Sequence, residues 1–164
     1  MKRIILFVVM LLMVSVASAQ EGKTIYNKYS GYKDVSAVYI SPAMFRMIGN
    51  LPDLQVETGN GGTMNLAPLI STFKGFYLLD INNASVMESI SNEVKSMLNN
   101  GRYEILMELK DQEDTMQIMT AGDDKIIESF VFMASDGESF QFICIDGAME
   151  RAEVEKLILT AIQS

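Results

Sequence analysis

The stretch that decides the fold runs from Ile126 to Ile145 and reads IIESFVFMASDGESFQFICI. Its two apolar runs, 126–134 and 139–145, are rich in aromatic and β-branched residues, which favour strands. Between them lies Ser135-Asp136-Gly137-Glu138, and Asp-Gly is a dipeptide that readily adopts the positive φ of a tight turn. The stretch therefore predicts an antiparallel hairpin.

A second hairpin is predicted immediately before the first. Tyr103, Ile105, Met107 and Leu109 alternate with polar residues, a period of two that is typical of a half-buried strand. A polar turn at 111–114 leads into a partner strand over 116–120. The second half of the chain is thus expected to be antiparallel sheet.

The first half of the chain combines strands with helices. Ser41-Pro42 is a helix start, because Ser caps the free N–H groups and Pro suits the first turn. Ser85 to Glu88 matches a capping box. The predicted strands are 35–40 and 76–81, and the predicted helices are 23–32, 42–48, 66–73, 84–99 and 150–163. Together the elements predict an α+β fold, a mainly antiparallel sheet with helices packed on one face.

The first nineteen residues predict a cleaved signal peptide. Lys2 and Arg3 precede an apolar run, Ile4–Val16, whose thirteen residues are too few for a membrane-spanning helix of about 20. Ala17 and Ala19 supply the small residues that signal peptidase requires, so we expect cleavage before Gln20. Residues 20–164 are then a single domain in the periplasm or secreted, without a stable membrane anchor, since no Cys stands near the cleavage site for lipid attachment.

Composition excludes several classes of function. Without the two signal cations, eleven Lys and Arg oppose 21 Asp and Glu, a formal charge of −10 that disfavours nucleic-acid binding. The absence of His excludes Ser-His-Asp and Cys-His catalysis and most zinc sites. With one Cys, Cys144, no intrachain disulfide can form. Its apolar neighbours favour a small buried side chain over a reactive thiol.

Two short motifs resemble catalytic signatures without their context. The glycine cluster at 59–63 lacks the Lys-Ser/Thr ending of a phosphate loop, which favours a surface loop. Ser71 to Lys74 matches S-x-x-K, but no partner motif follows, and a helix end is the better interpretation. The irregular segment 49–65 is instead a possible interaction loop, with Asp53, Glu57 and Asn60 as candidate contacts.

Carboxylates provide the alternative hypothesis, a hydrolase acting on envelope or dietary glycans. Acids cluster at 111–114 and 123–124, and Asp80 follows an apolar strand. Such a hydrolase needs two acids about 5–10 Å apart in a concave pocket, one with a perturbed pKa. Since solvated acids are also expected at turns, we assign no catalytic, cofactor-binding or metal-ligating residue, and expect no cofactor.

Two features of the chain carry a family resemblance. One is the stretch from Val35 to Met47, VSAVYISPAMFRM, and the other is an apolar hairpin followed by a terminal helix. In both, the chain resembles the domain of unknown function 4252 family. The resemblance implies a small exported protein of the Bacteroidota type, although many such members are lipoproteins and this chain has no lipobox Cys. It brings no catalytic residues. The hypothesis is therefore a non-enzymatic periplasmic or envelope domain that binds an unknown envelope protein or small ligand. A structural component of an oligomer is the third possibility.

Overall fold

The computed structural model describes residues 21–50, 55–57, 63–112 and 114–162, and the side chains of these except 55–57, 63–65, 98 and 157–162. The helices are α1 (Glu21–Tyr29), α2 (Pro42–Gly49), α3 (Ala67–Ser71), α4 (Ala84–Asn99) and α5 (Arg151–Ile162). The strands are β1 (Val35–Ile40), β2 (Gln55–Glu57), β3 (Thr63–Asn65), β4 (Phe73–Ile81), β5 (Tyr103–Asp111), β6 (Asp114–Gly122), β7 (Ile126–Ser135) and β8 (Phe140–Glu150). Among the helices described, none is long and apolar enough to cross a bilayer.

Six strands form one antiparallel sheet in the order β1-β4-β8-β7-β6-β5. The β7–β8 hairpin, predicted from residues 126–145, lies at its centre, between β4 on one side and β6 on the other. β1 and β5 are the two edges. The α+β fold with a mainly antiparallel sheet is confirmed.

The main core lies between one face of the sheet and helices α1 and α4. Ile25 and Tyr29 come from α1, and Ile90 and Val94 from α4, at the spacing of one helical face. The sheet contributes alternate residues of its central strands: Tyr77, Leu79, Ile81, Met119, Ala121, Val131, Met133, Phe140, Phe142 and Cys144. We call this the helix side of the sheet.

The opposite face, the open side, has a smaller cluster at one end. Leu69 of α3 and Val154 of α5 belong to it, with Ile127, Met149, Phe130 and Ile145 from the sheet. Phe45 of α2 is buried and packs edge-on against Phe73, with ring centroids 5.2 Å apart. Short helices therefore cover this end of the open side, in addition to the helix layer on the other face.

Beyond that cluster, a row of apolar side chains crosses all six strands on the open side. Registered neighbours give the order Val38, Leu78, Ile143, Phe132, Ile118 and Met107. The two end members, Val38 and Met107, are each 46% exposed, and the four between them are half-buried. The row thus ends in exposed apolar residues at both sheet edges.

The caps of α2 and α4 can be compared with those predicted from the sequence. Ser41 caps α2 as predicted, its Oγ accepting a hydrogen bond from the Met44 N–H at 3.3 Å. The predicted capping box at Ser85 is wrong, because Asn83 Oδ1 accepts from the N–H groups of Ser85 and Val86 at 3.1 and 3.3 Å. Asn is at least as good a cap as Ser, and it stands two residues earlier.

Other differences concern the extent and exposure of the elements. The segment predicted as wholly irregular, 49–65, contains β2 and β3, a two-stranded antiparallel pair. β4 begins at Phe73, three residues earlier than predicted, and β8 continues to Glu150. α2 buries only Phe45, and its neighbour Met44 is 48% exposed.

β5 departs most from its prediction. Only Tyr103 is buried, whereas Ile105, Met107 and Leu109 are all more than 40% exposed. A β-bulge between Ile105 and Met107 shifts the alternation, so that Met107 lies opposite Ile118 on the open side. The apolar alternation correctly indicates a strand, but the strand lies at the edge and the bulge divides its apolar residues between the two faces.

Candidate functional site

A cleft of about 650 Å³ lies between α4 and the helix side of the outer strands. α4 contributes one stripe of its surface, residues three or four apart, because such residues share a helix face. The stripe comprises Ala84, Met87, Glu88, Ser91 and Lys95, and the sheet wall includes Lys110, Thr115, Gln117, Met133 and Phe140. We call this the α4 cleft.

The α4 cleft has an apolar floor. Met133 and Phe140 are buried members of the main core, and Met87 is half-buried against it. Methionine is unbranched and polarizable, so its side chain adapts to ligands of different shape. A concave apolar surface bounded by a few polar groups is the usual form of a small-molecule site.

Its rim carries one lysine on each wall. Lys95 is exposed on α4 and forms no ion pair with any described residue, whereas Lys110 Nζ on β5 lies 3.0 Å from Glu108 Oε1. Gln117 donates a second hydrogen bond to the same carboxylate. The contacts with Lys110 and then Gln117 lower the pKa of Glu108. The rim therefore presents Lys95, which has no ion-pair partner among the described side chains, and Lys110, which is held by Glu108.

A second, acidic cleft of about 520 Å³ lies at the hairpin turns. Asp111, Gln112 and Asp114 of the β5–β6 turn and Asp136 of the β7–β8 turn line it. Asp136 accepts hydrogen bonds from the N–H groups of Ser139 and Glu138 at 2.7 and 3.0 Å, which lower its pKa. Its carboxylate thus shapes a turn and does not retain a proton for acid catalysis.

The other acids singled out from the sequence lie elsewhere. Asp123, at the β6–β7 turn, accepts from the N–H groups of Ile126 and Lys125 at 2.7 and 2.8 Å, which lower its pKa. Asp80 is half-buried in β4, opposite Ser36 and Gln141, and does not line the acidic cleft. In the part of the chain that the structure describes, no group of three or more acidic or Cys side chains could hold a metal ion.

Asp146 is the buried acid that sequence reasoning missed. It is 4% exposed on the central strand β8, and its Oδ1 accepts a hydrogen bond from the Cys144 thiol at 3.4 Å. Burial is the main cause that raises its pKa. The signal was available, because Phe142, Cys144 and Asp146 alternate along the strand and so face the same side.

Cys144 is fully buried, as predicted, and its Sγ also lies 3.4 Å from the Ser129 hydroxyl. Burial raises the pKa of this thiol well above 9.0. The S-x-x-K serine, Ser71, ends α3 and donates to the Pro68 carbonyl at 2.7 Å, the helix-end role that was predicted.

The remaining predicted site residues fall outside what the structure describes. Ala17, Ala19 and Gln20 precede the first described residue, and Asp53 and Asn60 lie in the gaps on either side of β2. Glu57 is the last residue of β2, in register with Thr63 of β3, and its side chain is not described. The interaction loop thus stays a prediction.

The chain was compared with known proteins in three ways. A search of curated proteins returned no match, and neither did a search of solved structures. The family model described as Domain of unknown function (DUF4252) matches residues 29–157, a span that includes all eight strands. This match covers well over half of the sequence and confirms the resemblance found in it. The chain therefore belongs to the DUF4252 family.

Proposed function

We propose that this protein is an exported, non-enzymatic binding domain of the periplasm or envelope, and that the α4 cleft is its ligand site. The observation that carries the proposal is the combination of an apolar floor with one lysine on each wall. The ligand class it fits has an apolar body and an anionic end.

The floor supports the apolar part of the ligand. Met87, Met133 and Phe140 offer aliphatic and aromatic surface in a concave setting. Each Å² of apolar surface removed from water contributes about 25 cal/mol, so burying about 200 Å² yields about 5 kcal/mol before the entropy lost on binding is subtracted. The apolar contact therefore supplies most of the affinity.

The lysines support the anionic part. The protein is strongly acidic, and an anion is repelled from most of its surface. Lys95 and Lys110 are local exceptions at the mouth of an apolar cleft. Exposed ion pairs contribute only about 0–1 kcal/mol each, so these lysines select the orientation of the ligand more than they determine its affinity.

The carboxylate-hydrolase alternative has less support. Glycoside hydrolysis needs a proton-donating acid of raised pKa near a second carboxylate. Among the acids that the structure describes, the one whose pKa is raised is Asp146, which is buried on β8, whereas the acidic cleft contains Asp136, whose pKa is lowered. The two requirements are met at different places in the fold, so binding is the better interpretation.

The test uses 1-anilinonaphthalene-8-sulfonate, a fluorescent probe with an apolar ring system and an anionic sulfonate. We expect saturable 1:1 binding by calorimetry to the natively folded protein, and binding to Lys95→Glu that is weaker by a few-fold, since an exposed ion pair contributes only about 0–1 kcal/mol. Lys74→Glu is the matched control, because Lys74 is exposed on β4 and does not line the cleft. Equal binding by all three proteins would reject the α4 cleft as the site.

Export is tested separately. Full-length protein expressed in its native host should appear in the periplasmic or secreted fraction with Gln20 as its first residue. A protein that retains residues 1–19 and stays in the cytoplasmic fraction would contradict the proposed location while leaving the ligand site open to the probe experiment.

A further inference from the structure

The edge strand β5 is the most exposed apolar element that the structure describes. It is nine residues long and, among the described strands, pairs with β6 alone. Its apolar side chains at 105, 106, 107 and 109 are 42–47% exposed. A long edge strand with exposed apolar side chains is a template for pairing with another strand, because its outward N–H and C=O groups have no partner in the sheet.

The bulge limits where such pairing can occur. It lies between Ile105 and Met107, so residues 107–111 form the regular part of the strand. Within this part, Glu108 and Lys110 point to the helix side, since they are in register with Gln117 and Thr115, and Leu109 points to the open side with Met116.

Two copies of β5 can pair antiparallel in only a few registers. Residues directly opposite each other must point to the same face, so one residue must lie on the two-fold axis. An axis at Glu108 places two glutamates against each other, and an axis at Lys110 places two lysines against each other. Like charges directly opposite are destabilising.

The axis at Leu109 avoids both conflicts. It places Glu108 of each copy opposite Lys110 of the other, and Leu109 opposite Leu109. Within one copy, Lys110 Nζ already lies 3.0 Å from Glu108 Oε1, so the two copies would close an alternating ring of four charges. The sequence of this edge is therefore complementary to itself in one register.

We propose that the protein self-associates through β5, with two copies joined antiparallel at Leu109 into a continuous twelve-stranded sheet. Backbone hydrogen bonds and the exposed apolar side chains provide the attraction, and the Glu108–Lys110 pairs fix the register. A five-residue overlap is small, so the dissociation constant is expected to be on the order of micromolar. This proposal does not rest on the α4 cleft as a ligand site, although Lys110 belongs both to the interface and to the rim of that cleft.

Charge reversal with complementation is the decisive test. Sedimentation velocity over a range of protein concentrations should show a monomer–dimer equilibrium for the wild type. Glu108→Lys alone and Lys110→Glu alone should each be monomeric, because each places like charges opposite each other. Mixing these two variants should restore a dimer, since each then supplies the charges that the other needs.

A matched control and a cross-link complete the experiment. Lys33→Glu makes the same charge change beside the opposite edge strand, β1, and should dimerise like the wild type. Leu109→Cys should form a disulfide-linked dimer on oxidation, whereas Glu104→Cys should not, because Glu104 lies beyond the bulge. The buried Cys144 does not compete.

A wild type that stays monomeric, a Lys110→Glu variant that dimerises normally, or a mixture that stays monomeric would each overturn the proposal. Circular dichroism confirms that every variant is folded. Lys95→Glu should weaken probe binding and leave dimerisation unchanged, because Lys95 lies on α4 and not on β5. Dimerisation without probe binding would reject the ligand site alone, and probe binding by a protein that stays monomeric would reject the interface alone.

Discussion

Gly22 of α1 packs directly against Cys144 of β8. A Cβ placed on Gly22 would come within 2.8 Å of the Cys144 Cβ and still closer to its Sγ. Since real Cβ atoms essentially never approach so closely, a residue without a side chain is required there. The contact fixes how near the first turn of α1 lies to the central strand.

Gly22→Ala should therefore destabilise the protein by about 1–3 kcal/mol, the usual cost of overpacking a core. Urea unfolding gives the change in the free energy of unfolding. The double variant Gly22→Ala/Cys144→Ala should lose less than the sum of the two single changes, because removing Sγ relieves the worst overlap. If the changes in the free energy of unfolding were strictly additive, the overlap with Sγ would not be the cause, and α1 would instead have moved away from the sheet.

The Cys144 thiol should be unreactive in the folded protein. It is fully buried, and burial raises its pKa well above 9.0, so little thiolate is present at neutral pH. Labelling by a disulfide reagent at pH 8 should proceed no faster than the protein opens or unfolds, and it should become immediate in denaturant. Rapid labelling without denaturant would contradict the packing of α1 over this residue.

Asp146→Asn should stabilise the protein at neutral pH, by about 1 kcal/mol, the common scale of a single substitution in a core. Burial raises the pKa of Asp146 above its ordinary value of 3.8, so folding favours the protonated acid. Its contribution to stability is greatest below pH 3.8 and is lost as pH rises through the folded-state pKa. The amide keeps an acceptor for the Cys144 thiol.

Urea unfolding of both proteins at pH 7 and near pH 4 measures this effect. The advantage of Asp146→Asn should be large at pH 7 and should shrink toward pH 4, where the wild-type acid is increasingly neutral. An advantage of the same size at both pH values would mean that the carboxyl group is not desolvated. Asp136→Asn is the control, since its pKa is lowered and its removal should cost more at pH 7.

Local patterns predict the elements of this fold because each strand and helix has to bury a face of its own. The alternation of Tyr103, Ile105 and Met107 correctly indicates a strand. It does not reveal that β5 is an edge or that a bulge follows Ile105, because strand order and register depend on residues far apart in sequence. The exposure of β5 follows from those long-range facts.

The candidate site depends on similar long-range relations. Helical spacing within the predicted helix 84–99 indicates a core-facing side, and Met87 does pack against the core, but it also lines the α4 cleft. Lys110 and Lys95 become neighbours of one cleft only when β5 and α4 are placed on the same side of the sheet. Asp146 was predictable in principle, since it continues the inward alternation of β8.

The segment between β2 and β3 tests the predicted interaction loop. Deleting residues 58–62 and joining the two strands with a two-residue turn should leave the free energy of unfolding nearly unchanged, because a change in the length of a connection costs little free energy. If the loop is a contact surface, affinity capture from envelope extract should lose a partner that the intact protein retains. An unchanged set of captured proteins would reject Asn60, the predicted contact within residues 58–62, as part of that surface.

Tyr29 and Lys28 tie α1 to α4 through one acid, Glu93, and the two contacts should differ in their contribution. The Tyr29 hydroxyl donates to Glu93 Oε2 at 2.7 Å from a side chain that is 2% exposed, whereas Lys28 Nζ, which contacts the same oxygen, is exposed. Tyr29→Phe should cost about 1.5 kcal/mol, the range for a hydrogen bond to a charged group. Lys28→Met should cost little, because an exposed ion pair is screened by water.

Thermal unfolding at low and high salt distinguishes the two contacts: the Tyr29 effect should persist in high salt, while any effect of Lys28 should vanish. If Lys28→Met proved the more destabilising change, the exposed ion pair and not the buried hydroxyl would hold the two helices together.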